Sequence, residues 1–513
     1  MAVRTFAAID VGSYELAMKI FEFTSKGVMR QVDHIRHRIE LGTDTYHKGK
    51  ISTEHMDELC RVLSEFKEIM DGYRVDAYKA YGTSAIRETQ NTLIVTEQIM
   101  LRTGIKVDPL SNSEQRFLHY KAAASKGEMF KECIGEGCAI VDIGGGSIQI
   151  SLFDNDSLVT TQNIRLGVLR TMDMLSMLQP TSRDYENVLK ELIDNQLYSF
   201  KRLYLKNREI RNIILIDDYI SMLMHCLGRA DSFVDAATFW KETDQLHALT
   251  ADEVASQIGI PSESAIHLRP SIGILSRVLK ITKADRLWTP GVSLCDGIAY
   301  EYAEKEKLLK NFHDFEHDIV AGAYVMSKRY QGNKERNQLL EKFSVELFDA
   351  TKRIHKMTKR DRLLLQIAAI LNDCGRYVSI EAGAECGYSI IMATEMIGLS
   401  HMEREIVANV VRFNKVKFEY YEEVARHSIM DSDSYLRVAK LTAIFRVADG
   451  ICRSYKDKVK GISVSLKDKD CNITAIVNPD DDIALEQGFF YRKSEFFEEV
   501  FAVKPILKCK KKI

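Results

Sequence analysis

Three short stretches of this 513-residue chain carry the residue types that hold phosphate: Asp10-Val11-Gly12-Ser13, Gly82-Thr83-Ser84-Ala85-Ile86-Arg87 and Asp142-Ile143-Gly144-Gly145-Gly146-Ser147. Glycines at a turn let backbone N–H groups approach an anion with no Cβ in the way. Thr and Ser hydroxyls and a forked guanidinium add further donors. A hairpin with a glycine turn, or a helix start in the second stretch, reads the same residues without phosphate. The acid-x-glycine pattern with a serine occurs twice, and that repetition favours an anion site.

The elements that must position these residues repeat as well. Thr5 to Ile9 reads as a buried strand ending at Asp10, followed by strands from about Tyr14 to Phe23 and from Val28 to Ile35, with a turn at Ser25-Lys26-Gly27. Cys138 to Val141 leads into Asp142, and strands Ile148 to Phe153 and Leu158 to Ile164 follow around Asp154-Asn155-Asp156. Two such three-strand meanders suggest two related α/β halves facing each other across a cleft. Between them Met56, Leu59, Leu63, Phe66 and Met70 form one apolar helix face, with Ser52 or Thr53 as its cap. Asp76 to Tyr81 reads as the strand that delivers the second stretch. Ile213 to Ile216 reads as a buried strand, Ala284 to Trp288 as the start of a last one, and Gly297 to Leu308 as a helix leaving the α/β part. From about Asn311 the patterns become long and helical, interrupted by a hairpin of Ile462 to Leu466 with Asn472 to Val477.

The bulk numbers bound the partners. A formal charge of -2 supplies no overall field for nucleic acid or an anionic membrane, so an anion site must be local. The composition is 45% hydrophobic and 28% charged, ordinary for a globular protein. Ten cysteines include no CxxC pair or zinc-like grouping, and no apolar run approaches 18 residues, which together read as a reducing, cytoplasmic setting. Lys508, Lys510, Lys511 and Lys512 read as a short solvated basic tail.

Together these stretches, with Asn91 and the segment Ser111 to Tyr120, resemble the exopolyphosphatase and pppGpp phosphohydrolase (Ppx/GppA) family of the actin-like ATPase superfamily. Gly387 to Ser400, Glu403-Arg404-Glu405, Val411-Arg412-Phe413 and Arg446-Val447-Ala448-Asp449 resemble that family's helical domain of HD type. The resemblance implies an α/β fold of two actin-like (ribonuclease H-like) halves, residues 1–125 and 126–308, around a cleft. A mostly helical HD-like domain, 309–513, with a late β-hairpin would follow. It implies phosphate binding by Gly12, Ser13, Thr83, Ser84, Arg87, Gly144, Gly145, Gly146 and Ser147. It implies Mg²⁺ or Mn²⁺ on Asp10, Asp142 and the position of Gln149, and a water-orienting base at the position of Gln115. The implied ligand is polyphosphate or guanosine pentaphosphate or tetraphosphate, and the implied assembly is a homodimer through the helical domains.

The sequence departs from the family where the chemistry should be. Gln115 and Gln149 stand where the family carries glutamates, and an amide orients water but does not accept its proton. Losing a general base lowers a rate by about 10²–10⁴. Glu114, adjacent in sequence, and Glu15 are the substitutes in reach. Asp217 and Asp218 occupy a turn that should cradle phosphate, and Asn372-Asp373 with Asn414 replaces the histidine-rich HD signature. Arg87 and Arg116 also read as surface ion-pair residues, and His119 and His355 as structural residues on helix faces. The expectation is therefore phosphate-chain binding with weakened hydrolysis of the terminal phosphoanhydride. A silent polyphosphate or (p)ppGpp-binding regulator and an actin-like kinase relative are the alternatives.

Overall fold

The computed structural model describes residues 4–24, 27–178, 185–309, 313–454, 456 and 458–511, with the backbone alone at 247 and 248. Ser25, Lys26, Asn311 and Lys512, named above for a turn, a domain start and the tail, lie outside the described residues. The chain divides into two compact units, Met1–Asp314 and Phe315–Ile513.

The first unit holds two sheets of one plan. Strands β1 (Arg4–Val11), β2 (Glu15–Phe23), β3 (Met29–Arg38), β4 (Ala77–Gly82) and β5 (Val107–Pro109) lie in the order β3-β2-β1-β4-β5. Strands β6 (Cys138–Ile143), β7 (Ile148–Asp154), β8 (Ser157–Ile164), β9 (Asn212–Ile216), β10 (Phe233–Asp235) and β11 (Arg286–Trp288) lie in the order β10-β11-β9-β6-β7-β8. Read from β8 inward, the second sheet repeats the first and adds β10 at its edge, a short strand that the sequence reading lacked. In each half the meander is antiparallel and the next strands are parallel to the first. The registers correspond: Asp10 pairs with Ala17 and Tyr81, and Asp142 pairs with Gln149 and Ile216. The two acids therefore end equivalent strands.

Buried runs on β1 and β6 reflect helices covering both faces, the usual reason a central strand reads as continuously apolar. Met56, Leu59, Leu63, Phe66 and Met70 of the helix Thr53–Gly72 are all buried against the first sheet, and Ser52 caps that helix by accepting from the His55 amide. The helix Leu294–Lys305 does not leave the α/β unit as expected. It returns to the first sheet, where Ile298 and Ala299 join Phe6 and Phe21, and Tyr302 stacks on Phe6 with centroids 4.1 Å apart. A buried ion pair, Lys19 Nζ to Asp296 Oδ2 at 2.7 Å, fixes it there. Gly297 allows this packing: a Cβ would sit 2.1 Å from the Leu118 carbonyl oxygen.

The second unit is mostly helical. Its central helices Lys359–Ile370, His401–Phe413 and Ser432–Ile451 bury the faces read from the sequence, including Leu364, Ile367, Leu441 and Phe445. Strands β12 (Val459–Lys467) and β13 (Asp470–Val477) form the expected hairpin. The basic end is not simply a solvated tail: Lys504–Lys511 is β14, parallel to β13, with Pro505 and Leu507 buried and its last lysines exposed.

Candidate active site

The carboxyl ends of the two first-unit sheets enclose a cavity of about 180 Å³. Its wall includes Asp10, Gly12, Ser13, Thr83, Ser84, Arg87, Gln115, Asp142, Gly144, Gly145, Gly146, Ser147 and Gln149, so residues from all three opening stretches converge. Glu114 does not line it. Its carboxylate accepts from the amide and hydroxyl of Ser111, closing a capping box at the start of the helix Asn112–Ala124, and it is unavailable as a substitute base.

The glycine turn is oriented by the segment that follows β8. The amide of Val168 donates to the Gly144 carbonyl at 3.0 Å, and those of Leu169 and Arg170 donate to the Gly145 carbonyl at 2.9 and 3.2 Å. Arg170 Nε donates to the Gly146 carbonyl at 2.9 Å. Three successive carbonyls are thereby tied to one side, and among the described residues the amides of Gly145 and Gly146 have no acceptor. Such a peptide run presents its N–H groups together, the arrangement of an anion nest.

The first turn faces the second across the cavity. Ser13 Oγ lies 2.7 Å from Ser84 Oγ and 3.0 Å from the Tyr46 hydroxyl, and Tyr46 donates to Ser84 at 2.9 Å. A Cβ on Gly146 would lie 3.0 Å from that Tyr46 hydroxyl and press on it. Arg87 is half-buried: Nη1 donates to the Leu110 carbonyl at 2.7 Å and reaches Gln115 Oε1 at 3.4 Å, while Nη2 lies 3.9 Å from Glu88 Oε1 as an ion pair. Arg116 is buried, not a surface residue.

Charge in the cavity is dense, and part of it, Asp142 and Asp217, is buried. Burial raises Asp10 to about 7, His119 opposes that shift, and Asp218 and Glu15 add to it. Burial and Asp218 raise Glu15 to about 7 against the pull of Arg36, whose Nε lies 3.0 Å from Glu15 Oε1. The doubtful carboxylate pair of the fourth turn is resolved by two different partners. Asp217 caps the helix Asp218–Cys226 by accepting from the Ile220 amide at 2.5 Å and from Ser271 at 3.1 Å. Asp218 lies 3.7 Å from Arg36.

Sequence reasoning missed three residues here. His119, read as structural, lines the cavity and joins Asp142 through Nδ1 to Oδ2. Burial works against its charge, but Asp142, with Asp10 and Asp218 behind it, outweighs that and raises the imidazole. The available signal was spacing: His119 is four residues beyond Gln115 and shares its helix face. Tyr46 and Arg170 had no comparable signal, since each reaches the turns from a separate segment.

Among the described residues no group of three or more His, Cys, Asp or Glu side chains converges as a metal cluster. Asp10 Oδ1 and Gln149 Oε1, however, are buried without a hydrogen-bond partner. Two such oxygens fit a cation of the Mg²⁺ type that arrives with phosphate oxygens, rather than one held in a protein cage.

The sequence pattern of the Ppx/GppA phosphatase family matches residues 20–306, and that of domain III of the same phosphatases matches residues 321–484. A guanosine-5'-triphosphate,3'-diphosphate pyrophosphatase of Aliivibrio fischeri is 19% identical over 475 residues, covering 90% of this chain and 91% of that protein. Exopolyphosphatase 1 of Mycobacterium tuberculosis is 23% identical over 194 residues, 37% of this chain and 54% of that protein. Among solved structures, an exopolyphosphatase from Cytophaga hutchinsonii superposes with a TM-score of 0.53 at 19% identity, covering 60% of this chain and all of that one. The Aquifex aeolicus Ppx/GppA protein gives 0.51 at 19% identity, covering 60% of this chain and 99% of that one. These likenesses show the fold.

Proposed function

Because the chain belongs to the Ppx/GppA phosphatase family, we propose that its cleft binds the terminal phosphates of polyphosphate or of pppGpp and hydrolyses the end phosphoanhydride slowly. The observation that carries this reading is the backbone of Gly144 to Gly146, whose carbonyls are tied away by Val168, Leu169 and Arg170. Thr83, Ser84 and Arg87 add donors from the other half of the cavity. In the proposed reaction, water attacks the terminal phosphorus and the bridging P–O bond breaks. The leaving phosphate keeps the electron pair, and Glu15 takes the water's proton. Glu15 suits that role because its raised value lies near neutral pH. Gln115, held against Arg87, orients the water through its amide. Asp10 and Gln149 would hold Mg²⁺ or Mn²⁺ bound with the phosphates, and the ion would neutralise charge on the phosphoryl oxygens.

A second reading, a binder with no turnover, is favoured by one observation: Asp142 is already engaged by His119. Phosphate release from long-chain polyphosphate and from pppGpp, measured with Mg²⁺ and with Mn²⁺, decides between them. Slow release abolished by Glu15→Gln supports hydrolysis, binding without release supports the second reading, and absence of binding to either ligand overturns both. We further propose a homodimer through an HD-like helical unit, to be checked by sedimentation. The ten free cysteines support a reducing cytoplasmic setting.

A further inference from the structure

A cavity of about 570 Å³ opens within the helical unit, around Asn372-Asp373, Asn414 and Asp449. The HD-type resemblance leads one to expect a metal here, and the residues do not fit one. No histidine lines the cavity, and eight of its lining side chains are Lys or Arg against three Asp or Glu. A divalent cation would meet repulsion rather than ligands.

The carboxylates present do not neutralise that excess. Asp449 is consumed by Arg336 and Lys493, with Arg453 3.9 Å away. Burial opposes its charge, but Lys493 and Arg336 outweigh it and hold the carboxyl at about 2. Asp373 accepts from the Asn333 amide at 2.9 Å and from Asn337 at 2.8 Å. Glu381 is exposed. Two of the other cations, Lys415 and Arg446, donate to backbone carbonyls. Lys415 donates to the Asn372 carbonyl, and burial, with Arg376 nearby, lowers it to about 8. Arg446 donates to the carbonyls of Phe413 and Val416 at 2.6 to 2.9 Å. Arg453 lies over the Phe489 ring at 4.1 Å, so a flat aromatic face and a guanidinium stand together in the wall.

We propose that this cavity is a second anion site, separate from the cleft, that takes a compact, multiply phosphorylated small molecule. Its volume falls in the range of small-molecule sites. Desolvated cations held only by carbonyls gain most from an anion, because charge-assisted bonds to phosphate replace weaker neutral ones. The ligand is either a nucleotide, with its base on Phe489, or an inorganic phosphate oligomer.

The test is calorimetric titration of the full chain with GTP, pyrophosphate and long-chain polyphosphate. The wild type is compared with R376E/K417E/R492E, whose changes are at exposed positions, and with the cleft variant T83A/R87A. The expected result is that GTP or pyrophosphate binding weakens at least tenfold in the charge-reversed variant, shown to be folded by its circular dichroism and Tm, and persists in the cleft variant. Preference for GTP over pyrophosphate assigns the nucleotide, and the reverse assigns the inorganic oligomer. Unchanged binding in the folded charge-reversed variant, or loss in the cleft variant alone, overturns the proposal. Polyphosphate binding that survives T83A/R87A combined with R376E/K417E/R492E counts instead against the cleft assignment.

Discussion

His119 and Asp142 are joined by a buried hydrogen bond, from the middle of the helix Asn112–Ala124 to the end of β6. Asp142 is also the register partner of Gln149 on β7. Opposed residues on an antiparallel pair project to the same face, so the acid stands between an amide and an imidazole where phosphoryl-transfer sites gather carboxylates around a cation. This protein places an imidazole there, which Asp142 pulls towards its charged form against the effect of burial.

Replacing that imidazole by an apolar residue therefore tests whether a metal cation can take its place. His119→Leu leaves Asp142 buried and unpaired, a change that costs about 3–5 kcal/mol in comparable buried pairs. Added Mg²⁺ should recover part of the lost Tm in His119→Leu and do little for the wild type, since a ligand stabilises only the state it binds. Thermal melts with and without Mg²⁺ read this directly, and an equal Mg²⁺ response in both proteins would sink the idea.

Restoring the two missing acids should restore rate. Gln115→Glu with Gln149→Glu is expected to raise phosphate release about 10²-fold, the low end for adding a general base. The low end follows from Arg87, which already touches residue 115 at 3.4 Å and would hold a glutamate there in its charged, less basic form. Single-turnover phosphate release is the measurement, and no gain in the folded double variant would place the defect elsewhere.

Much of this arrangement was legible before the structure. The repeated meander, the acids at equivalent strand ends and the glycine turns follow from alternation, strand length and turn chemistry, which are local. Asp217 and Asp218 could be seen as a problem but not resolved, because the solutions come from Ser271 and Arg36, far away in sequence. The same holds for Tyr46, and for the helix Leu294–Lys305, whose docking partner lies at the other end of the unit. In β14 only Pro505 and Leu507 signal a buried face among the lysines, too short a pattern to read as a strand.

Gly167 gives a test of the phosphate cradle that touches no polar group. A Cβ there would lie 2.3 Å from the Gly145 carbonyl oxygen and 2.4 Å from the Ser147 amide nitrogen. Both obstacles are backbone of the glycine turn, so Gly167→Ala must displace the turn itself. Overpacking of this kind costs about 1–3 kcal/mol of stability. Affinity for a phosphate chain should fall at least tenfold, about 1.4 kcal/mol, in binding titrations of the folded variant. Wild-type affinity would mean that these amides do not hold the ligand.

Asp217 gives the pH dependence. Burial raises its carboxyl to about 7, with Asp218 adding to the shift and the Ile220 and Ser271 bonds opposing it. The unfolded value is near 4, so the folded state holds the proton more tightly. The stability this contributes is full below about pH 4 and is lost as pH rises to about 7, beyond which a buried charge is carried at full cost. Asp217→Asn removes the titration while keeping an oxygen for the Ile220 amide, and asparagine caps helices about as well as aspartate. A rise from about 4 to about 7 corresponds to roughly 4 kcal/mol. The variant should match the wild type near pH 4 and exceed it above pH 7 by an amount approaching that figure. Asp10 and Glu15 titrate in the same range in both proteins, so the difference between the two denaturation curves isolates Asp217. Parallel curves from pH 4 to 8 would show that Asp217 is not the group being titrated.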